Sequence, residues 1–284
     1  MKRKILLPTD FSKNAWRAIV YALELFKKDH CNFYILHAFS LQGYSIESLI
    51  AMEPGSEAYE TAKLDAQNDL AKVSDMLAFK DYDNPKHHFE YLCTFGNVVE
   101  VIKNVVEEKD IDMIILGTKG KSASKTKLLG SVAIDVMEKV RNCPVLGVPE
   151  TAQHHLPKEI VFPTSYKTHY KKRELQFLID IAKTSDAAIR IIHMTTEDKL
   201  SDKQQSNKNL LEEYIQDIPH TYHILSHTDI PTATNCFVES RGSDMVAFIN
   251  KKHIFFGSIL THPLVKEIGH DTKVPLLVMH DLRN

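Results

Sequence analysis

The chain has 284 residues, a length that suggests two domains of ordinary size. Its 35 basic and 37 acidic side chains leave a formal net charge of −2, which argues against both the basic field of a nucleic-acid binder and the acidic excess of a solvating tail. Hydrophobic residues at 43% and charged residues at 25% are the proportions of a globular protein, and no apolar run approaches the ~18 residues of a membrane helix.

The N-terminal stretch has only three consecutive apolar residues, Ile5 to Leu7, before Pro8, too few for a secretory leader. Cys31, Cys93, Cys143 and Cys236 are scattered, form no Cys-x-x-Cys pair and read as reduced core residues. A cytoplasmic location is therefore expected. The pairs His87-His88 and His154-His155 lack the i, i+4 spacing that puts two ligands on one helix face, and no metal site is expected.

In chain order, short apolar runs alternate with longer amphipathic stretches. Strands are predicted near 4–9, 33–38, 88–94, 112–117 and 144–149, and their apolar runs are continuous, as in parallel strands buried on both faces. From Ser12 to Lys28, the apolar residues Ala15, Ile19, Ala22, Leu23 and Phe26 form a helical stripe. Ser12 suits its N-cap, and Lys27 and Lys28 suit its C-terminal end. Further helices are predicted over 57–79, 98–108 and 131–140. Such alternation implies right-handed crossovers and a doubly wound α/β sheet.

The pattern then repeats. Ile5-Leu6-Leu7-Pro8-Thr9-Asp10 is echoed by Ile160-Val161-Phe162-Pro163-Thr164-Ser165, and Asp112-Met113-Ile114-Ile115 by Asp244-Met245-Val246-Ala247. Leu128-Leu129-Gly130-Ser131 is echoed by Phe255-Phe256-Gly257-Ser258, and Cys143-Pro144-Val145-Leu146 by Val274-Pro275-Leu276-Leu277. Two tandem domains are expected, 1–150 and 151–284, joined by a linker from Glu150 to Pro157.

The segment from Gly117 to Ser131 contains Gly120-Lys121-Ser122, three letters of a phosphate loop. That motif needs a glycine at position 115, where Ile115 stands inside a buried strand, so the Walker reading fails. The actual spacing, Gly-x2-Gly-x9-Gly-Ser, lies between a strand and a helix. Ligands in open α/β sheets bind beyond the carboxyl ends of strands. Gly117 and Gly120 would permit a sharp turn and a close ligand approach, while Gly130-Ser131 opens a helix whose N–H groups and dipole suit an anion. Lys119, Lys121, Lys125 and Lys127 could neutralise several phosphates, and Asp10 suits a ribose hydroxyl or a nucleobase N–H.

This spacing, with the Pro-Thr-Asp end of the first strand and the Cys-Pro-Val-Leu final strand, resembles the ATP-binding branch of the universal stress protein family. The resemblance implies a five-stranded, mainly parallel sheet flanked by helices in each domain, with pairing through the last strands. It implies that Asp10 and the backbone of Ala38 contact the adenine–ribose part. Leu116, Gly117 and Gly120 would border ribose and phosphates, and Gly130, Ser131 and Val132 would hold the phosphates. The implied cofactor is ATP or another adenine nucleotide, with or without Mg²⁺, and the implied role is in stress response or signalling.

The second copy departs from the pattern. Ser165 replaces Asp10, Ile249 replaces Gly117, Lys252 replaces Gly120, and the loop is shorter. A β-branched residue at the first glycine position would crowd a phosphate. The second domain is therefore expected to be structural, pairing its last strand with that of the first as an internal pseudo-dimer, with a homodimer of the chain as a further association. The alternative is a different small-ligand pocket shaped by Ser165, His193 and His253. No general base stands out, so no catalytic residue is assigned; at most, slow ATP hydrolysis or autophosphorylation is expected. The remaining alternative is an adaptor that binds no nucleotide.

Overall fold

The computed structural model describes residues 2–40, 54–81, 84–120, 129–153, 155–195, 197, 199–226, 228–250, 265 and 273–280. The elements of the first half are β1 (Arg3–Pro8), α1 (Lys13–Leu25), β2 (Cys31–Phe39), α2 (Glu57–Lys80), β3 (His87–Phe95), α3 (Val98–Lys109), β4 (Met113–Gly117), α4 (Ser131–Lys139) and β5 (Val145–Val148). Those of the second are β6 (Glu159–Pro163), α5 (Lys172–Ser185), β7 (Ala188–Met194), α6 (Asp202–Ile215), β8 (His220–Leu225), α7 (Ile230–Arg241), β9 (Met245–Asn250) and β10 (Leu276–His280).

All ten strands join one sheet in the order β3-β2-β1-β4-β5-β10-β9-β6-β7-β8. Every pairing is parallel except β5 with β10, which is antiparallel, with Leu276 opposite Gly147, Leu277 opposite Leu146 and Val278 opposite Val145. Strand order therefore reverses between β1 and β4 in the first half and between β6 and β9 in the second.

The continuous apolar runs explain the layering. Successive strand residues face opposite sides, so Ile5, Leu7, Phe33, Ile35, Met113 and Ile115 enter one buried cluster with residues of α1, α2, α5 and α6. Leu6, Tyr34, Leu36, Ile114 and Leu116 enter the other, with α3, α4 and α7. Helices therefore cover both faces, as parallel strands require.

The repeat extends to hydrogen bonds. Lys4 N donates to Asp112 Oδ2 at 2.8 Å, and Glu159 N donates to Asp244 Oδ2 at 3.0 Å. The return bonds, Asp112 N to Lys4 O and Asp244 N to Glu159 O, both measure 2.9 Å.

Two expectations are corrected. α1 ends at Leu25, so Lys27 and Lys28 lie beyond its last turn, which contains no basic residue, and Phe26 takes the C-cap. Cys236 is exposed rather than a core residue, although all four cysteines are free. Burial pushes the Cys31 thiol up to about 12, which keeps it protonated. His87 serves as a pin: its Nδ1 lies 2.7 Å from Asp81 Oδ2 and its Nε2 3.1 Å from Phe26 O, which ties the start of β3 to the end of α1.

The halves also meet through side chains. Arg3 on β1 bonds Asp29 at 3.2 Å and Asp180 of α5 at 2.9 Å. Its guanidinium lies 5.7 Å from the Phe26 ring centroid and 5.9 Å from that of Phe177. On β6, Glu159 accepts from Arg241 at 2.7 and 2.8 Å, from Arg190 at 2.6 Å and from Ser243 at 2.7 Å. The Arg241 hydrogen bonds, with those from Arg190 and Ser243, outweigh burial and hold this carboxyl down at about 2 against an ordinary value of 4.5. A carboxyl lowered on folding adds stability above its ordinary value and loses it as pH falls from 4.5 towards about 2. Glu159→Gln is therefore expected to destabilise the protein at neutral pH by about 1–2 kcal/mol. Urea unfolding followed by circular dichroism should show wild type and variant converging as pH falls below 4; an unchanged gap would refute this account.

Candidate functional site

The reversal of strand order between β1 and β4 opens a crevice at their carboxyl ends, the place where such sheets bind ligands. On the β1 side, Thr9 N donates to Leu36 O at 2.8 Å. The chain then turns tightly. Phe11 N donates to Thr9 Oγ1 at 3.0 Å and Ser12 N to Asp10 Oδ1 at 3.1 Å, while Ser12 Oγ caps α1 by accepting from Ala15 N at 3.1 Å. Phe11 is left-handed, with φ of 61°, a strained setting for a non-glycine residue. Its ring packs 4.3 Å from that of His37, whose Nδ1 lies 2.7 Å from Thr9 O. A carbonyl only accepts, so Nδ1 carries the proton and donates. His37 thus pins the turn that presents Asp10.

On the β4 side, Thr118 N donates to Val148 O at 3.1 Å and Gly130 N to Thr118 O at 2.7 Å. These bonds bring the start of α4 against the end of β4. Asp10 and Gly120 meet across the crevice, since a Cβ on Gly120 would lie 2.7 Å from Asp10 Oδ2. A Cβ on Gly117 would lie 2.9 Å from backbone atoms of Asn14, and one on Gly130 would lie 3.2 Å from Thr118 O. Left-handed glycines are confined, among the described residues, to Gly55, Gly96 and Gly242. Gly117 is the one of the three motif positions where a side chain would meet backbone closer than 3.0 Å, and none of the three is left-handed.

Gly120 meets Asp10 and lies beside Gly130; Ser131 and Val132 follow in the first turn of α4; Gly117 meets Asn14; and Ala38 on β2 lies two residues beyond the Pro8–Leu36 pairing. Leu116 differs. Its side chain is buried in the core, so only its backbone can face a ligand. Gly130 caps α4 and its own N–H is taken by Thr118 O, so the amides left without helical partners are those of Ser131, Val132 and Ala133. Lys121, Ser122, Ser124, Lys125 and Lys127 lie outside the described residues. No group of three or more His, Cys, Asp or Glu residues among the described ones could hold a metal ion.

Sequence reasoning missed Asn14, His37, Thr118 and Gly147. Gly147 on β5 leaves space for the Met137 methyl group of α4 and for Thr118 Cγ2. Its only sequence signal was a glycine inside an otherwise apolar strand.

The second half keeps the frame and fills the mouth. His193 Nδ1 lies 2.8 Å from Thr164 O, its ring sits 4.8 Å from Tyr166, and Tyr166 has φ of 56°, repeating His37, Thr9 and Phe11. Here, however, Gln204 Nε2 donates to Ser165 O at 2.9 Å and Asn207 Nδ2 to Tyr166 O at 2.7 Å, while the Tyr170 hydroxyl bonds Thr164 Oγ1. Gln204, Asn207, Tyr166 and Tyr170 are all buried. Burial also lowers the His193 pKa. Lys252, His253, Gly257 and Ser258 lie outside the described residues.

A doubly wound α/β chain with a carboxylate facing a glycine turn at the switch point is a recognisable class. A model described as the universal stress protein family matches residues 1–149, and the chain belongs to that family. A universal stress protein of Methanocaldococcus jannaschii is 29% identical over 52% of this chain and 95% of its own length. Another from the same organism is 31% identical over 51% of this chain and 81% of its own. The crystal structure of a universal stress protein from Archaeoglobus fulgidus covers 97% of this chain and 95% of its own, with a TM-score of 0.70 at 20% identity, a likeness of fold along nearly the full length. No helix among the described residues is long and apolar enough to cross a membrane.

Gly117→Ala is expected to destabilise the protein by about 1–3 kcal/mol, because the new methyl group meets backbone rather than a flexible side-chain end. Thermal unfolding without ligand would check this, and an unchanged midpoint would contradict the close approach.

Proposed function

We propose that residues 1–150 form a nucleotide-binding domain that holds ATP or another adenine nucleotide, and that residues 151–284 form a degenerate second domain. The observation that carries this reading is the meeting of Asp10 with Gly120, where a Cβ would lie 2.7 Å from the carboxylate. A turn kept free of side chains beside a carboxylate, next to a helix N-terminus, fits a ligand with hydroxyls at one end and phosphates at the other. In this reading Asp10 and the backbone of Ala38 take the nucleoside. Leu116 contributes backbone only, Gly117 and Gly120 line the ribose and phosphates, and Gly130, Ser131 and Val132 flank the phosphates. Membership of the universal stress protein family supports the assignment.

The second domain binds no nucleotide in this reading. Ile249 stands where the first domain has Gly117, and Gln204 and Asn207 satisfy the carbonyls of its Ser165-Tyr166 turn. Its role is to pair with the first domain through β5 and β10, an internal counterpart of a dimer. The protein then acts as a cytoplasmic stress or signalling component whose ligand orders the crevice and alters a partner surface.

Denaturing purified protein and identifying the released nucleotide by chromatography tests the reading, with about one adenine nucleotide per chain expected. Gly120→Val should abolish binding while the fold persists, because its side chain displaces the Asp10 carboxylate. No released nucleotide and no ATP binding in calorimetry would favour an adaptor instead. Ser165→Asp should add no second binding event in the same titration, since Ile249 and the Gln204 and Asn207 bonds remain; a second site would overturn the account of the second domain.

A further inference from the structure

We infer that Asn14 is a positioning residue of the crevice, one that ties the start of α1 to the glycine turn and so sets the gap between Asp10 and Gly120. The inference rests on the nucleotide reading of that crevice.

Asn14 lies in the first turn of α1, four residues after Asp10, and is only 5% exposed. Its Nδ2 donates to Lys119 O at 3.2 Å, a bond spanning 105 residues of sequence. That bond fixes which end of the amide is nitrogen, since an oxygen there would face a carbonyl that only accepts. One residue thus touches both loops of the crevice. Through its own helix it follows the Asp10 turn, and through Nδ2 it holds the peptide next to Gly120. Gly117 makes the approach possible, because a Cβ there would lie 2.9 Å from Asn14 C, O and Nδ2.

The second half supplies an internal comparison. Strand register places Ile249 at the position of Gly117, since Leu6 and Val161 pair with Ile114 and Val246. Ser165 replaces Asp10, and the buried residues Glu174, Leu175, Leu178 and Ile179 of α5 match Asn14, Ala15, Ala18 and Ile19 of α1, so the buried Glu174 holds the position of Asn14. There α5 begins at Lys172, seven residues after Ser165, whereas α1 begins at Lys13, three after Asp10. Asp10, Asn14 and Gly117 are therefore all replaced in the second half, by Ser165, Glu174 and Ile249.

The test is calorimetric titration of the full chain with ATP and, separately, with adenosine. Asn14→Ala should weaken ATP by about tenfold or more, the scale of one well-placed hydrogen bond, and adenosine by much less, because the displaced turn borders the phosphates. Asn14→Asp supplies a second variant of the same size. An acidic residue suits a first helical turn, yet its carboxylate cannot donate to Lys119 O, so the same selective loss is expected. Thermal unfolding without ligand confirms that each variant is folded at the titration temperature. Unchanged ATP affinity, or equal losses for ATP and adenosine, would overturn the positioning role and leave nucleotide binding standing. Wild-type protein that binds neither ligand would overturn both.

Discussion

A parallel strand left at the margin of a sheet presents a row of unpaired amides and carbonyls, and this constraint shapes the molecule. In each half the fifth strand in sequence ends the set, with one edge on its parallel neighbour and the other open. The antiparallel ladder between β5 and β10 closes both edges at once and makes a single ten-stranded sheet. The seam is apolar, with Val145, Leu146, Leu276, Leu277 and Val278 all buried. Around it Arg3 reaches Asp180, Thr151 Oγ1 donates to Lys273 O at 2.6 Å, and Arg141 donates to Asn250 O at 2.6 Å. Each point of strand-order reversal then sits two strands inward from the seam, on a sheet whose two faces are already covered.

Much of this was legible in the sequence. The strands near 4–9, 112–117 and 144–149 were visible because parallel strands buried on both faces leave unbroken apolar runs. Gly120 and Asp10 could be suspected because each follows a predicted strand. Asn14 could not. In sequence it is a polar residue in a first helical turn, which is usually solvated, and its burial follows from a carbonyl 105 residues away. His37 and Gly147 were hidden for the same reason, as their meaning lies in contacts with Thr9 O and with Thr118. The glycines were legible as a motif, but that Gly117 lies against the backbone of Asn14 was not.

The two halves separate what the fold needs from what the crevice needs. Both retain the Pro-Thr end of the first strand, the histidine that pins the threonine carbonyl and the aspartate that binds the opening amides of that strand. Only the first sets a glycine against a carboxylate, Gly120 against Asp10. In the second, α6 supplies Gln204 and Asn207, and these polar groups satisfy backbone carbonyls at the mouth. The carbonyls of Ser165 and Tyr166 are thereby satisfied, while His193 Nε2 is buried without a hydrogen-bond partner among the described residues.

Phe11 and Tyr166 are a pair of aromatic residues held in the left-handed region, at φ of 61° and 56°. For an ordinary L-residue that conformation costs about 1–2 kcal/mol. Glycine would adopt it without strain, yet neither half uses glycine, because each ring packs at a tilt against the histidine of the neighbouring strand. The bend thus depends on ring packing and is indifferent to whether an acid stands beside it. For protein engineering, the second half is a scaffold whose bend is already set without the acid.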